Sequence, residues 1–316
     1  MIKKILLIGC GNIGSRHLEG LLKSKFSLEI TIIEKSKKQI EIVKKKISNH
    51  NFKNKKLIFF NKFVKKNFFF DLLICATTSE KRFDLIKNLV KKYKFSKIIL
   101  EKIAFQNHKD FEKALRLLNK KNIDCWVNCP RREQKIYKEI KRKIKNNDLL
   151  TIRVSGNKWN LASNSIHFFD LFYFLTNDKN EFNKKTAFLK KISSKHINFY
   201  ELTGLLKIEN QKSKIILDDQ KISKNIIVKI YTSNFKFTIY ETQQFVKIVS
   251  SRNNIFKKAK LLKQSSLTTL LVDKIFDNKK IYLPSLKESF LSHKLLYFSF
   301  GEYFINRNKV LNCPIT

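Results

Sequence analysis

An apolar run close to the start of the chain, Ile5-Leu6-Leu7-Ile8, leads directly into Gly9-Cys10-Gly11-Asn12-Ile13-Gly14, and residues 13–22 then carry apolar side chains at helical spacing. A strand, a G-x-G-x-x-G turn and a helix in that order leave few options. The next strand returns beside the first in parallel, and the helix packs on the sheet they form. Each glycine answers a separate demand. Gly9 allows the tight turn, Gly11 lets the backbone approach a pyrophosphate, and Gly14 lets helix and strand pack closely. Amide groups at the helix start, around Asn12 and Ile13, then face phosphate charge. The following strand, Leu28-Glu29-Ile30-Thr31-Ile32-Ile33, ends at Glu34. That acid lies about 20 residues beyond Gly14, where a carboxylate accepts the hydroxyls of an adenosine ribose. Gly9, Gly11, Asn12, Ile13, Gly14, Glu34 and Lys35 are therefore the candidate dinucleotide contacts. Glu34 disfavours a 2′-phosphate and points to NAD, while Lys35 and Ser36 soften that repulsion and keep NADP open.

Strand and helix patterns alternate up to about residue 130. Residues 57–61, 71–76, 97–100 and 123–127 read as strands, and 40–47, 81–92 and 110–120 as helices. This alternation predicts an open parallel sheet wound on both faces, with ligands beyond the carboxyl ends of its strands. Those ends carry the glycine turn, Glu34, Ala76-Thr77-Thr78, Glu101-Lys102 and Asn128. After Arg131 the pattern changes. A helix over 136–145 precedes strands over 149–154, 187–192, 204–208, 226–231, 235–240 and 245–249, with one apolar helical stretch at 165–175. Consecutive strands with so few helices predict an α+β domain with a large, mostly antiparallel sheet. The tail, 267–276 and 286–303, reads as helical again. The expected organisation is an α/β chain. Residues 1–130 form a doubly wound parallel Rossmann sheet that binds dinucleotide, and residues 131–316 form a C-terminal α+β domain for substrate and self-association.

Charge competes with this reading. Lys and Arg number 66 against 26 acids, a net charge of +40, and such an excess suits nucleic acid or an anionic membrane. The lysines are dispersed, however, and arginine, the better reader of phosphates and bases, is scarce. Lysine, asparagine, isoleucine and phenylalanine are abundant together while glycine (7) and proline (3) are few, the joint skew of an AT-rich coding sequence. Specific nucleic-acid recognition is not expected; weak, salt-sensitive attraction to polyanions is. No apolar run reaches the ~18 residues of a membrane helix. The opening residues imitate a secretory leader, but the apolar core is short and the glycine turn accounts for it, so a cytoplasmic location is expected. Five cysteines without a C-x-x-C pair suggest neither a disulfide framework nor a metal site.

These motifs, in this order, resemble the glucose–fructose oxidoreductase and inositol dehydrogenase family (Gfo/Idh/MocA). The glycine turn continues as Ser15-Arg16-His17, an Arg-His pair typical of the family. Ala76-Thr77-Thr78-Ser79 is similar to its A-T-P-T loop, Glu101-Lys102 to its E-K-P, and His167-Phe168-Phe169-Asp170 to its H-x-x-D on a helix. Leu283-Pro284 through Ser289, with His293 one turn on, resembles the usual tail. The resemblance spans nearly the whole chain. It implies an NAD- or NADP-dependent oxidoreductase acting on a CH–OH group of a sugar, cyclitol or related polyol, with carbohydrate metabolism as its setting.

On these residues the implied chemistry can be stated. Hydride leaves a substrate carbon for the nicotinamide while the carbinol proton goes to a base. His167 suits that base, because imidazole titrates near neutral pH. Lys102, at a strand end, holds or polarises the same oxygen. Ala76, Thr77, Thr78 and Glu101 join the cofactor contacts, and Asn128, Arg131, Trp159, Asn164 and Asp170 are the candidate substrate contacts, with Arg131 and Arg132 suited to a substrate anion. Two departures stand out. Ile103 follows the lysine where the family has proline, and Ser163 occupies the place, four residues before His167, where many members carry an aspartate. Serine hydrogen-bonds a hydroxyl but is no carboxylate base. A dinucleotide-binding sensor or assembly protein of the same fold is therefore the alternative expectation.

Overall fold

The computed structural model describes residues 2–48, 52–63, 68–145, 149–176, 178, 180–223, 225–305 and 312–315. The first part alternates as expected: β1 (Lys3–Ile8), α1 (Asn12–Leu22), β2 (Leu28–Ile33), α2 (Lys37–Ser48), β3 (Lys55–Phe60), β4 (Phe69–Cys75), α3 (Arg82–Lys92), β5 (Lys94–Leu100), α4 (His108–Lys120) and β6 (Asp124–Val127). The six strands pair in parallel in the order β3-β2-β1-β4-β5-β6. Parallel strands are covered on both faces and so read as continuous apolar runs. Ile5 to Ile8 and Leu72 to Cys75 are buried throughout for that reason. The strand order reverses between β1 and β4, and the glycine turn leaves β1 at that switch point.

A short 3₁₀ turn (Pro130–Glu133) and α5 (Lys135–Lys143) open the second part. There follow β7 (Leu150–Ser155), α6 (Leu161–Thr176), β8 (Lys184–Ser193), β9 (Tyr200–Glu209), β10 (Ser213–Asp218), β11 (Ile227–Tyr231), β12 (Phe235–Tyr240), β13 (Phe245–Ser250) and β14 (Asn254–Lys258). They form one eight-stranded sheet, β14-β13-β12-β11-β7-β10-β9-β8. Every pairing is antiparallel except β7 with β10. One face is buried and α6 packs on β7, β9 and β10. Ile152, Val154, Leu206, Ile208, Ile215 and Leu217 alternate onto that buried face. Two strands were not anticipated. β10 follows a tight turn in which the Asn210 side chain accepts the N–H groups of Lys212 and Ser213, and its apolar core is only Ile215 to Leu217. β14 is exposed along its whole length, so it has no apolar alternation to betray it.

The chain closes with α7 (Gln264–Phe276) and α8 (Leu286–Phe300). Here the expected boundary between residues 130 and 131 needs amending. The compact units are residues 1–128 with 262–287, and residues 129–261 with 288–316. Residues 262–287 return to the first unit because α7 fits against α1. A Cβ on Gly20 would stand 2.4 Å from the Ser265 carbonyl oxygen, so only glycine permits this approach. Leu271, Val272 and Ile275 share a core with Leu18, Leu21 and Leu22. Ser24 donates to Asp273 at 2.5 Å and Lys25 pairs with Asp277 at 2.8 Å. Among the described residues no helix is long and apolar enough to cross a membrane.

Candidate active site

In the first unit the glycine turn is built as the spacing requires. Gly9 has φ +81°, and a Cβ there would lie 2.9 Å from the Ala76 carbonyl oxygen. A Cβ on Gly14 would overlap the Gly9 carbonyl at 1.9 Å, whereas one on Gly11 would meet nothing within 4 Å. The first two contacts are packing demands; the open space at Gly11 is room for a ligand. Helix α1 begins at Asn12 with no side-chain cap, so its first amides are available to an anion. Glu34 lies against this turn. Its Oε2 accepts the Cys10 N–H at 2.7 Å and its Oε1 accepts the Ser36 N–H at 3.0 Å. The Gln39 side chain donates to the Cys10 carbonyl at 2.8 Å. Lys35 is exposed beside them.

The other strand ends gather buried polar groups. Glu101 accepts from His17 Nε2 at 2.8 Å and from the Asn128 amide, and His17 Nδ1 is 2.9 Å from Thr268 Oγ1. Burial alone would raise the Glu101 carboxyl, but the His17 and Asn128 hydrogen bonds and nearby charge outweigh it and hold the group below its ordinary value. Since Glu101 is an acceptor, His17 Nε2 carries a proton and Asn128 presents its NH₂ side. Among the described residues the buried Asn128 Oδ1 has no partner. The sequence reading placed Asn128 among substrate contacts; in the structure its amide nitrogen serves Glu101.

Arg82 organises the segment after β5. Its guanidinium donates to the carbonyls of Glu101 (2.5 Å), Ile103 (2.5 Å), Ala104 (3.0 Å) and Thr77. It is 1% exposed, and burial lowers it from its ordinary value. The Lys102–Ile103 peptide bond is cis. Between Glu101 and Gln106 every residue is buried except Lys102. The lysine thus projects from a clamped segment at the same sheet edge as the glycine turn and the partly open Ala76, Thr77 and Thr78.

Residues 3–129 match the model of an oxidoreductase family described as GFO_IDH_MocA, NAD-binding Rossmann fold. This part of the chain is similar to the NAD-binding Rossmann domain of that family. No curated protein matches the sequence. Solved structures share the fold of the whole chain. A dehydrogenase (MviM) from Clostridium difficile has TM-score 0.73 and 19% identity over 95% of this chain and 99% of that one. The UDP-N-acetylglucosamine 3-dehydrogenase GnnA from Acidithiobacillus ferrooxidans has TM-score 0.70 and 9% identity over 95% and 97%. A super-repressor mutant of Gal80p from Saccharomyces cerevisiae has TM-score 0.70 and 10% identity over 95% and 96%.

In the second unit, α6 is buried on nearly all sides. In its first three turns only Asn164 and His167 are partly open, three residues apart and so on one face. Asn164 donates to the Trp159 carbonyl at 2.7 Å. Three other expected substrate contacts are engaged by partners within the unit. Arg131 forms two bonds to Glu241 (2.9 and 2.8 Å) and covers the Phe168 ring at 4.2 Å. Asp170 is fully buried and bidentate with Arg132, at 2.8 and 2.7 Å. Trp159 donates its indole N–H to the Asp218 carbonyl at 3.0 Å. Asp170 and Trp159 are buried and Arg131 is half-buried, and polar groups so enclosed take internal partners.

Sequence reasoning missed Arg82 and Glu201. The Glu201 carboxylate caps α6, accepting from Ala162 N at 2.6 Å and Ser163 N at 3.1 Å. Neither residue sits in a motif, because both act on backbone groups far along the chain. Among the described residues no cluster of His, Cys, Asp or Glu could hold a metal.

Proposed function

We propose that the chain is an NAD-dependent oxidoreductase that moves hydride between nicotinamide and a CH–OH carbon of a sugar, cyclitol or related polyol, with NADP as the weaker cofactor. The observation that carries the cofactor half is the open cradle at Gly11, facing uncapped α1 amides, with Glu34 fixed at its rim. Gly9, Gly11, Asn12, Ile13 and Gly14 would hold the pyrophosphate. Glu34 would accept ribose hydroxyls and repel a 2′-phosphate, with Lys35 at its side, and Ala76 to Thr78 and Glu101 would lie along the nicotinamide half. When bound, the dinucleotide supplies or accepts hydride.

The chain's own residues do the rest. Lys102 holds the substrate oxygen and stabilises alkoxide charge as it develops. His167 takes or returns the proton on that oxygen. Asn164, on the same helix face, orients a hydroxyl. GnnA, a sugar-nucleotide dehydrogenase by its name, shares this fold and supports a carbohydrate substrate. Self-association through the eight-stranded sheet and a cytoplasmic location belong to the same proposal, and sedimentation analysis tests the first.

The test is a pair of variants assayed against a polyol panel. Lys102→Ala lowers kcat at least 100-fold and leaves NAD affinity within a few-fold. Gly11→Val abolishes NAD binding. Equal turnover in the lysine variant removes Lys102 from the chemistry, and unchanged NAD affinity in Gly11→Val removes the cradle. Ser163, standing where the related aspartate would be, favours a second reading: a dinucleotide sensor or assembly protein. NAD binding by the wild type with no turnover on any polyol selects it.

A further inference from the structure

The second unit holds a cavity of about 400 Å³ that the proposed reaction does not use. Arg153, Lys229 and Lys221 line it, together with Ser155, Ser223 and Asn225. Its floor is the β7–β11 ladder, in which Arg153 stands directly opposite Lys229 and Ser155 opposite Ile227. Side chains alternate across a strand. Ile152 and Val154 point into the buried face on which α6 lies, so Arg153 and Ser155 point to the other. The cavity and His167 are therefore on opposite faces of the same sheet.

Like charges directly opposite one another on a sheet destabilise it. The outer neighbours in register are Ile216 beside Arg153 and Thr238 beside Lys229, neither of them acidic. Among the described residues neither cation forms an ion pair. Asp218, at the rim, is committed to Lys221 at 3.1 Å and to the Gln220 N–H. The wall itself is mostly apolar, with Ile227 and Gly156 among its residues, and the polar groups carried by the other lining side chains are a guanidinium fork, an ammonium, two hydroxyls and an amide, a set that lacks acceptors carrying charge. A tetrahedral oxyanion satisfies such a set, and the Arg fork grips it bidentately. The volume falls at the lower end for small organic ligands and is concave, unlike the continuous stripe a polynucleotide backbone follows.

We propose that this cavity binds a phosphoryl group, free or carried on a small molecule, at a site separate from the dinucleotide cradle. Two copies meeting on this sheet face would bring these cations together, and a bound phosphate would offset that repulsion. The site gives the chain a phosphate-dependent handle on the outer face of the second unit.

Calorimetric titration with inorganic phosphate and with a hexose 1-phosphate, in 150 mM salt, tests this. Arg153→Gln and Lys229→Gln should each weaken binding at least tenfold. Lys247→Gln, on the same face outside the cavity, and Gly11→Val should leave it within twofold. Equal affinity for the two probes means that the phosphoryl group alone is read, and tighter hexose phosphate means that the carrier is read too; either supports the site. Loss confined to Gly11→Val would assign all binding to the dinucleotide turn, and equal weakening by all three cation variants would reduce it to general charge. A single-stranded oligonucleotide that displaces the probes at equal phosphate concentration would replace the small anion with nucleic acid. Each of these three results overturns the proposal, and thermal unfolding of the two cavity variants excludes misfolding as their cause.

Discussion

Two kinds of enclosed arginine divide this molecule, with Arg82 and Arg132 buried and Arg131 half-buried. In the first unit, Arg82 meets only main-chain carbonyls. In the second, Arg131 and Arg132 meet the carboxylates of Glu241 and Asp170. Burial works against the charge in every case. For Arg82 it wins and the group lies below its ordinary value. For Arg131 and Arg132 the facing carboxylates outweigh it and both lie above. The ion pairs tie elements together: the 3₁₀ turn at Pro130 to α6, and the same turn to the strand end at Glu241. Arg82 ties nothing comparable. It shapes one loop, the segment that presents Lys102, and its desolvation cost is only partly offset by nearby charge, Glu101 included. A charge kept at a net cost, with hydrogen bonds to main-chain carbonyls alone, holds the path of that loop.

The sharpest way to break this comparison is to remove each arginine's partners in turn. Arg82→Met strands several buried carbonyls and is expected to lower unfolding free energy by about 3–5 kcal/mol in denaturant titration. No second substitution repairs it, because the partners are backbone. A loss under about 1 kcal/mol would show the carbonyls finding water. Asp170→Asn leaves Arg132 charged and buried, at a cost of about 3 kcal/mol. Here the double variant Arg132→Leu/Asp170→Leu should recover most of it, and failure to recover would mean that the pair shapes its surroundings as Arg82 does. The smallest effect concerns Glu101. Its carboxyl is held below the ordinary value of about 4.3, so it adds stability above that pH and loses the contribution as pH falls through its folded value. The melting temperature of the wild type should therefore fall more steeply in acid than that of Glu101→Gln. Identical slopes would show that His17 and Asn128 do not stabilise the charged form.

The first unit was legible because parallel strands advertise themselves. Leu28–Ile33 has the same bounds in sequence and structure, and the glycine turn, Glu34 and Lys102 stand where spacing put them. The second unit was legible in its type and less so in its detail. β14 has no buried residue to give period two, and β10 pairs in parallel with β7 across a long connection. The site residues divided on the same principle. A residue that serves a motif can be read from its neighbours in sequence. The internal partners of Arg131, Asp170 and Trp159, namely Glu241, Arg132 and Asp218, lie 38 to 110 positions away, so nothing local announces them.

The return of residues 262–287 to α1 has a consequence for how the chain is made. Domains emerging from the ribosome ordinarily fold in sequence, the leading one first. Here the leading one is interrupted. Leu18, Leu21 and Leu22 lack part of their apolar cover until Leu271, Val272 and Ile275 have emerged from the ribosome, and the whole inserted stretch 129–261 emerges before them. The nucleotide-binding half is thus the last to close, and a gene fragment stopping at residue 130 would encode an unfinished core.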